Sequence, residues 1–270
     1  MSTNTASPPA ASVRRTRPQW PVPAGLLLLS LIPVIFGALR LTELTSGAAV
    51  TPQNARFFAS PVPVVAHIVS VTVYSLLGAF QFVPSLRGRR GWHRLAGRIL
   101  IPAGLLAALS GLWMSVFYPL PDGYADVPLR LFFGSAMLVS IVLGLDAIRR
   151  RDFVRHGAWM TRAYAIGVGA GTQALVGIPW LLLIGPTDVP TRVVLLGAGW
   201  VINVAVAEYV IHRRAVQTRR TRRTVRVPAA GPVPAAVVVE VAASVPERRT
   251  FPAKRRVSGD VESGRLDSRA

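Results

Sequence analysis

Cysteine is absent from the 270 residues, which excludes a disulfide and any thiolate metal site. Acid is scarce, with 12 Asp and Glu against 31 Lys and Arg, for a formal charge of +19. Histidine occurs four times, as His67, His93, His156 and His212, so each imidazole can be weighed singly. Soluble-type catalytic signatures are missing too. There is no Gly-x-Ser-x-Gly, no His-Glu-x-x-His, no phosphate-binding glycine loop and no nucleophile–base–acid set. No metal-ligand cluster stands out, and no cofactor is fixed by these residues. What the chain has in excess is apolar surface, at 51% hydrophobic residues and a mean hydropathy of +0.43. That composition favours a membrane class.

Six apolar stretches carry it, over about residues 24–41, 61–84, 98–118, 129–148, 160–184 and 193–211. Each is long enough at 1.5 Å per residue to cross a hydrocarbon core of about 30 Å. They do not alternate as barrel strands do, which predicts an all-α polytopic bundle from residue 20 to 214. The arginines orient it. Three basic residues precede the first stretch, five lie between the second and third, five around the fourth-to-fifth gap, and fourteen follow the sixth. Only Arg40, Arg56, Arg130 and Arg192 occupy the other gaps. Short basic loops stay on the cytoplasmic side, so both termini are expected inside a bacterial plasma (inner) membrane. The expected partners of this charge are anionic lipid head groups rather than nucleic acid, because most of it flanks apolar runs.

Residues 1–19 are rich in Ser, Thr, Ala, Pro and Arg without apolar period, and residues 215–270 are basic with scattered proline. Both are expected to be disordered cytoplasmic arms. The apolar run Ala235–Val245 is too short to span. The first stretch exceeds the usual core of a cleaved signal peptide, about 7–15 residues, and reads as a retained anchor.

Polar groups inside a span are costly and therefore informative. Asp146 with Arg150, and Glu208 with His212, are spaced i, i+4 and are expected to pair near the inner interface. Gln173 and Asn203 are mid-span amides suited to bonds between helices. His67 lies about two turns inside the outer end of the second span and reads first as an interhelical donor. Gln81 follows it by fourteen residues on nearly the same face, the spacing of a two-haem helix with one ligand replaced by an amide. An outer bis-histidine haem has no second histidine, whereas an inner haem b using two of His93, His156 and His212 is open.

Two inner turns share a plan. Arg87-Gly-Arg-Arg-Gly-Trp-His-Arg-Leu-Ala-Gly-Arg98 and Arg149-Arg-Arg-Asp-Phe-Val-Arg-His-Gly-Ala-Trp-Met-Thr-Arg162 each carry an arginine cluster, a histidine and a later arginine inside the next helix. Orientation alone accounts for the arginines; helix N-termini with added cations also suit an anionic group. These strings, with His67-Ile and Leu77-Gly-Ala-Phe-Gln-Phe82, resemble the bacterial predicted-membrane-protein family known as domain of unknown function 2306, over roughly residues 55–185. Gly157 departs from the larger polar residue expected after the histidine. The resemblance implies a polytopic membrane protein and makes His67, Gln81, His93, Arg94, Arg98, Arg151, Asp152, His156, Trp159 and Arg162 its candidate ligand-binding positions. The functions left open are a haem, quinone or anionic-ligand module at the cytoplasmic ends of helices two to five, a small-solute transporter, and an accessory scaffold without chemistry.

Overall fold

A computed structural model describes residues 20–83, 85–86, 90–120 and 123–224, with no side-chain description at 90 and 220–224. The described helices are α1 (Pro21–Thr45), α2 (Ala55–Ala59), α3 (Pro61–Ala79, continued by a 3-10 turn at Phe80–Phe82), α4 (Arg90–Phe117), α5 (Val127–Arg149), α6 (Phe153–Gly167), α7 (Gly169–Leu183) and α8 (Val189–Thr224). No strand occurs among the described residues. Six segments are long and apolar enough to cross a membrane, α6 and α7 together forming the fifth. This is an all-helical, multi-pass membrane protein. The chain divides into two units, 1–218 and 219–270, the second described only as far as Thr224. The expected arms at residues 1–19 and 225–270, with Ala235–Val245, lie outside the described residues.

Local chemistry sets the helix starts. Proline opens α1, α3 and α5 at the first or second position, where its missing N–H costs nothing. Asp152 caps α6 by accepting from the Arg155 N–H at 2.9 Å, and Asp188 caps α8 by accepting from the Thr191 N–H at 3.0 Å. Those Thr191 bonds hold the exposed Asp188 carboxyl below its ordinary pKa. Pro33, Pro102 and Pro179 sit inside helices, as membrane spans tolerate.

Three expected boundaries shift. The third span begins as helix at Arg90, so His93 and Arg94 stand on α4 with Arg98 and not in a turn, because no proline interrupts the stretch before Pro102. The fifth span is interrupted at Val168 (φ −90°, ψ 10°), between Gly167 and Gly169. The sixth continues as helix through Thr224, since no proline stops it before Pro228.

Tyr74, Leu100, Phe133, Met137, Ile141 and Tyr164 form the centre of the buried core, drawn from α3, α4, α5 and α6. Lipid is as apolar as these side chains, so close packing and interhelical hydrogen bonds do the holding. The Tyr164 hydroxyl donates to the Ser75 carbonyl at 2.7 Å. Its ring lies against Gly78, and the Tyr74 ring lies against Gly104 and Gly167, places where a Cβ would overlap the ring. Trp200 of α8 stacks on Phe133 at 4.8 Å between centroids. Asn203 donates to the Ala165 carbonyl at 3.0 Å and accepts from Thr172 at 2.6 Å, and Gln173 donates to the Leu196 carbonyl at 3.1 Å. Both mid-span amides thus tie helices together, as expected. At the opposite end of α1, Asn54 is buried, donates to Glu43 at 2.6 Å and accepts from the Thr51 N–H at 2.6 Å, while Arg40 pairs with Glu43. The loop after α1 is fastened back onto it.

Candidate functional site

The start of α4, the start of α6 and the end of α3 meet around a cavity of about 430 Å³. Gln81, His93, Arg94 and His156 line it, joined by Thr161 and Tyr164 of α6 and Arg214 of α8. Its apolar wall is Leu100, Ile101, Ile141, Ile148 and Met160, with Phe82 against the Tyr164 ring at 5.2 Å. This volume falls in the range of small-molecule sites, about 300–1,000 Å³, and the lining pairs an apolar body with a few convergent polar groups.

The two histidines arrive there by the same route. His93 lies three residues past Arg90 at the start of α4, and His156 three residues past Phe153 at the start of α6. His156 Nδ1 is 2.8 Å from the Gly144 carbonyl. A carbonyl only accepts, so Nδ1 carries the proton and Nε2 keeps its lone pair. A histidine whose Nδ1–H is fastened to a carbonyl is the form that ligates metals through Nε2. Gly144 permits the approach, because a side chain there would meet Met160 and Trp159. Chemically, the cavity offers one oriented nitrogen base, a second imidazole, and the two cationic side chains of Arg94 and Arg214.

His67 goes elsewhere. It lines a separate cavity of about 440 Å³ in the other half of the bundle, with Nδ1 at 3.0 Å from the Ala107 carbonyl. It is an interhelical donor, as expected. His67 and Gln81 therefore face different cavities, with the packed Tyr74 and Tyr164 rings, 5.8 Å apart, between them in the chain's core.

The remaining candidates lie outside the lining of the His156 cavity. Arg151 has a positive φ of 61° and turns the chain between α5 and α6, and Asp152 is the cap already described. Arg98 is exposed and lines neither cavity. Arg162 lies over the Trp159 ring at 4.6 Å and holds Glu208 of α8 by two bonds of 2.5 and 2.9 Å. Glu208 thus pairs with Arg162 and not with His212, because a guanidinium fork from the facing helix matches both carboxylate oxygens. Asp146 and Arg150 do pair, at 2.8 Å, with both side chains well exposed. Among the described residues no three His, Asp or Glu side chains gather as a metal site.

The ordered motifs that line and surround this cavity fall inside the reach of one family model, described as predicted membrane protein (DUF2306), which matches residues 64–211. The chain belongs to that family. A curated protein from Natronomonas pharaonis, protoheme IX farnesyltransferase 2, is 37% identical over 99 residues, covering 34% of this chain and 22% of that protein. The chain thus matches only about a fifth of that relative's length. No solved structure matches it.

Within this DUF2306 member, sequence reasoning passed over Arg214, Thr161 and Tyr164. Arg214 is one of the fourteen basic residues that follow the sixth apolar stretch, where only helix phase distinguishes it from its neighbour Arg213. Tyr164 left a signal: an aromatic with a polar tip, deep in a span, that needs an acceptor.

Proposed function

We propose that this protein is a membrane-embedded binding module that seats an anionic amphiphile in the cavity between α3, α4 and α6, and that haem b is the ligand its donor set fits best. The observation that carries this is the His156 Nδ1–H bond to Gly144, which leaves Nε2 as a base in a cavity shared with His93, Arg94 and Arg214. In this reading His156 Nε2 would hold the iron, His93 would be the second ligand or a head-group contact, and Arg94 and Arg214 would pair with the propionates. The short likeness to a protein named for protoheme IX supports the ligand class without extending to that protein's activity. The arginine asymmetry supports a bacterial plasma-membrane placement with both termini and this cavity on the cytoplasmic side.

Purification from a haem-replete host tests the reading. A Soret band is expected in the wild type, and its loss in His156→Ala at unchanged abundance. Wild-type protein without a Soret band, before and after haem titration, would overturn it. A band that persists in both His93→Ala and His156→Ala would overturn the ligand assignment.

A transport reading has one specific support. The break at Val168 interrupts a membrane helix at mid-span, as in transporters built on discontinuous helices, and separate cavities occupy the two halves of the bundle. Proteoliposomes test it, with haem or a quinone as cargo. Flux no faster than in empty vesicles would remove it.

A further inference from the structure

The second cavity, about 440 Å³ between α1 and α3 to α8, has an unusual hydrogen-bond balance. Its hydroxyls have already committed their protons. Ser30 donates to the Leu26 carbonyl at 2.9 Å, Ser75 to Thr72 at 3.3 Å, Ser115 to Gly111 at 2.8 Å and Tyr118 to Ser60 at 2.5 Å. His67 follows suit. Its Nδ1 is 3.0 Å from the Ala107 carbonyl and 3.1 Å from the Ser110 hydroxyl, whose own proton goes to Leu106 at 2.6 Å. Nδ1 therefore carries the hydrogen and Nε2 is an acceptor. Serine, tyrosine and histidine are usually equivocal groups, able to donate or accept. Here five of them line one cavity with only lone pairs left to offer.

Four donors share this lining, Arg56, Arg130, Gln173 and Trp200, and three of them are partly engaged. Gln173 donates to the Leu196 carbonyl at 3.1 Å. Arg130 is held by Asp126 at 2.6 and 2.9 Å. Arg56 donates to the Pro119 carbonyl at 3.3 Å and lies over the Phe57 ring at 4.6 Å. Between the acceptors the wall is apolar, formed by Val64, Val71, Ala108, Met137 and Ile166. An occupant placed against these five acceptors must bring its own hydrogen-bond donors on an apolar, ring-sized body, since a group with acceptors alone would leave their lone pairs unmatched. A cavity of roughly 150 Å³ already holds benzene, so this one has room for a substituted ring.

We propose that this cavity is a binding site for a hydroquinone head group, selective for the reduced ring over the oxidised quinone. A hydroquinone donates two O–H bonds, and His67 Nε2 with the Ser115 oxygen receives them. The quinone has two carbonyl acceptors and nothing to give. Lipid-soluble quinols and soluble substituted hydroquinones share this chemistry. The site is independent of the haem reading and uses none of its residues.

Anaerobic calorimetry on the full chain in detergent micelles tests the proposal, with tetramethylhydroquinone and tetramethylbenzoquinone as paired probes and an isoprenoid quinol in place of the first to separate head-group from tail recognition. The hydroquinone is expected to bind at least about tenfold more tightly than the quinone, a factor of ten being one missing bond's worth of discrimination. Ser115→Ala, a substitution a helix tolerates, is expected to weaken the hydroquinone about tenfold and leave the quinone unchanged, and Ser115→Thr to restore it. His67→Phe is expected to abolish the preference if it folds. Equal or tighter quinone binding, no hydroquinone binding, or a Ser115→Ala protein with unchanged constants for both probes would overturn the assignment. Hydroquinone binding that survives only with the isoprenoid tail would also overturn it, because the head group would then not be what is recognised.

Discussion

At Gly171 of α7 the backbone of α1 approaches closely, and the cause lies on that other helix. Pro33 of α1 has no N–H, so the Leu29 carbonyl four residues earlier has no helical donor. That carbonyl oxygen lies directly where a Cβ on Gly171 of α7 would be built, with the Leu29 Cγ at 2.7 Å and the carbonyl carbon at 2.9 Å from the same point. Ordinary contact begins near 3.4 Å, and a backbone carbonyl in a packed helix has no rotamer into which to retreat. Gly171→Ala must therefore push α1 from α7, an overpacking cost of about 1–3 kcal/mol. Gly177, on the same helix, has nothing within 4 Å of its Cβ position. Alanine raises helix propensity equally at both sites, by up to about 1 kcal/mol, so the difference between the two variants isolates the clash. SDS-driven unfolding in mixed micelles, followed by circular dichroism, should place Gly171→Ala about 1–3 kcal/mol below Gly177→Ala. Adding Leu29→Ala should not repair it, since the carbonyl stays. Adding Pro33→Ala should recover part of the loss, because the restored N–H draws the carbonyl back into α1. Equal midpoints for Gly171→Ala and Gly177→Ala would refute the close approach.

Three further outcomes are expected. Tyr164→Phe removes a buried 2.7 Å bond to Ser75 and should cost about 1–2 kcal/mol in the same unfolding titration, with no change if that bond is absent. Asp188 has a folded-state pKa depressed below its ordinary 3.8. The contribution of its cap is therefore present above that value and lost as pH falls through the folded one, and a carboxyl carbon titrating at or above 3.8 by NMR would contradict the cap. Because the chain has no cysteine, single cysteines at Thr187 and Thr218 report topology cleanly. A membrane-impermeant maleimide added to intact cells should label the first and not the second, and the reverse pattern would invert the arrangement.

The helical class was legible because runs of about twenty apolar residues leave one economical solution in lipid. The break at Val168 was not, although Gly167, Gly169 and Gly171 marked the place. Glycine is common in membrane helices, and only the Tyr74 ring against Gly167 and the Trp200 ring against Gly169 show why two of them are needed. Glu208 illustrates the limit of pair rules. Its i+4 neighbour His212 was visible, but Arg162, which wins, lies 46 positions away on a facing helix.

The histidines divide along a line that chain order does not reveal. His67 and Gln81 share a face by periodicity, yet the 3-10 turn at Phe80–Phe82 and the tyrosines beside it assign them to different cavities. His93 and His156, 63 positions apart in the chain, line the same one. What His67 and His156 have in common is a second interaction: each donates Nδ1–H to a backbone carbonyl of another helix, and each keeps Nε2 as a base. That bond fixes ring orientation and tautomer at once, so neither histidine needs a carboxylate partner to be set for accepting. The environments then set what each accepts. Around His156 stand Arg94 and Arg214, which call for an anion beside the nitrogen base. Around His67 stand hydroxyl oxygens whose protons are engaged, which call for a neutral donor. On the two proposals, the same imidazole chemistry, placed twice, would select ligands of opposite hydrogen-bonding character in two cavities of one tyrosine-packed bundle.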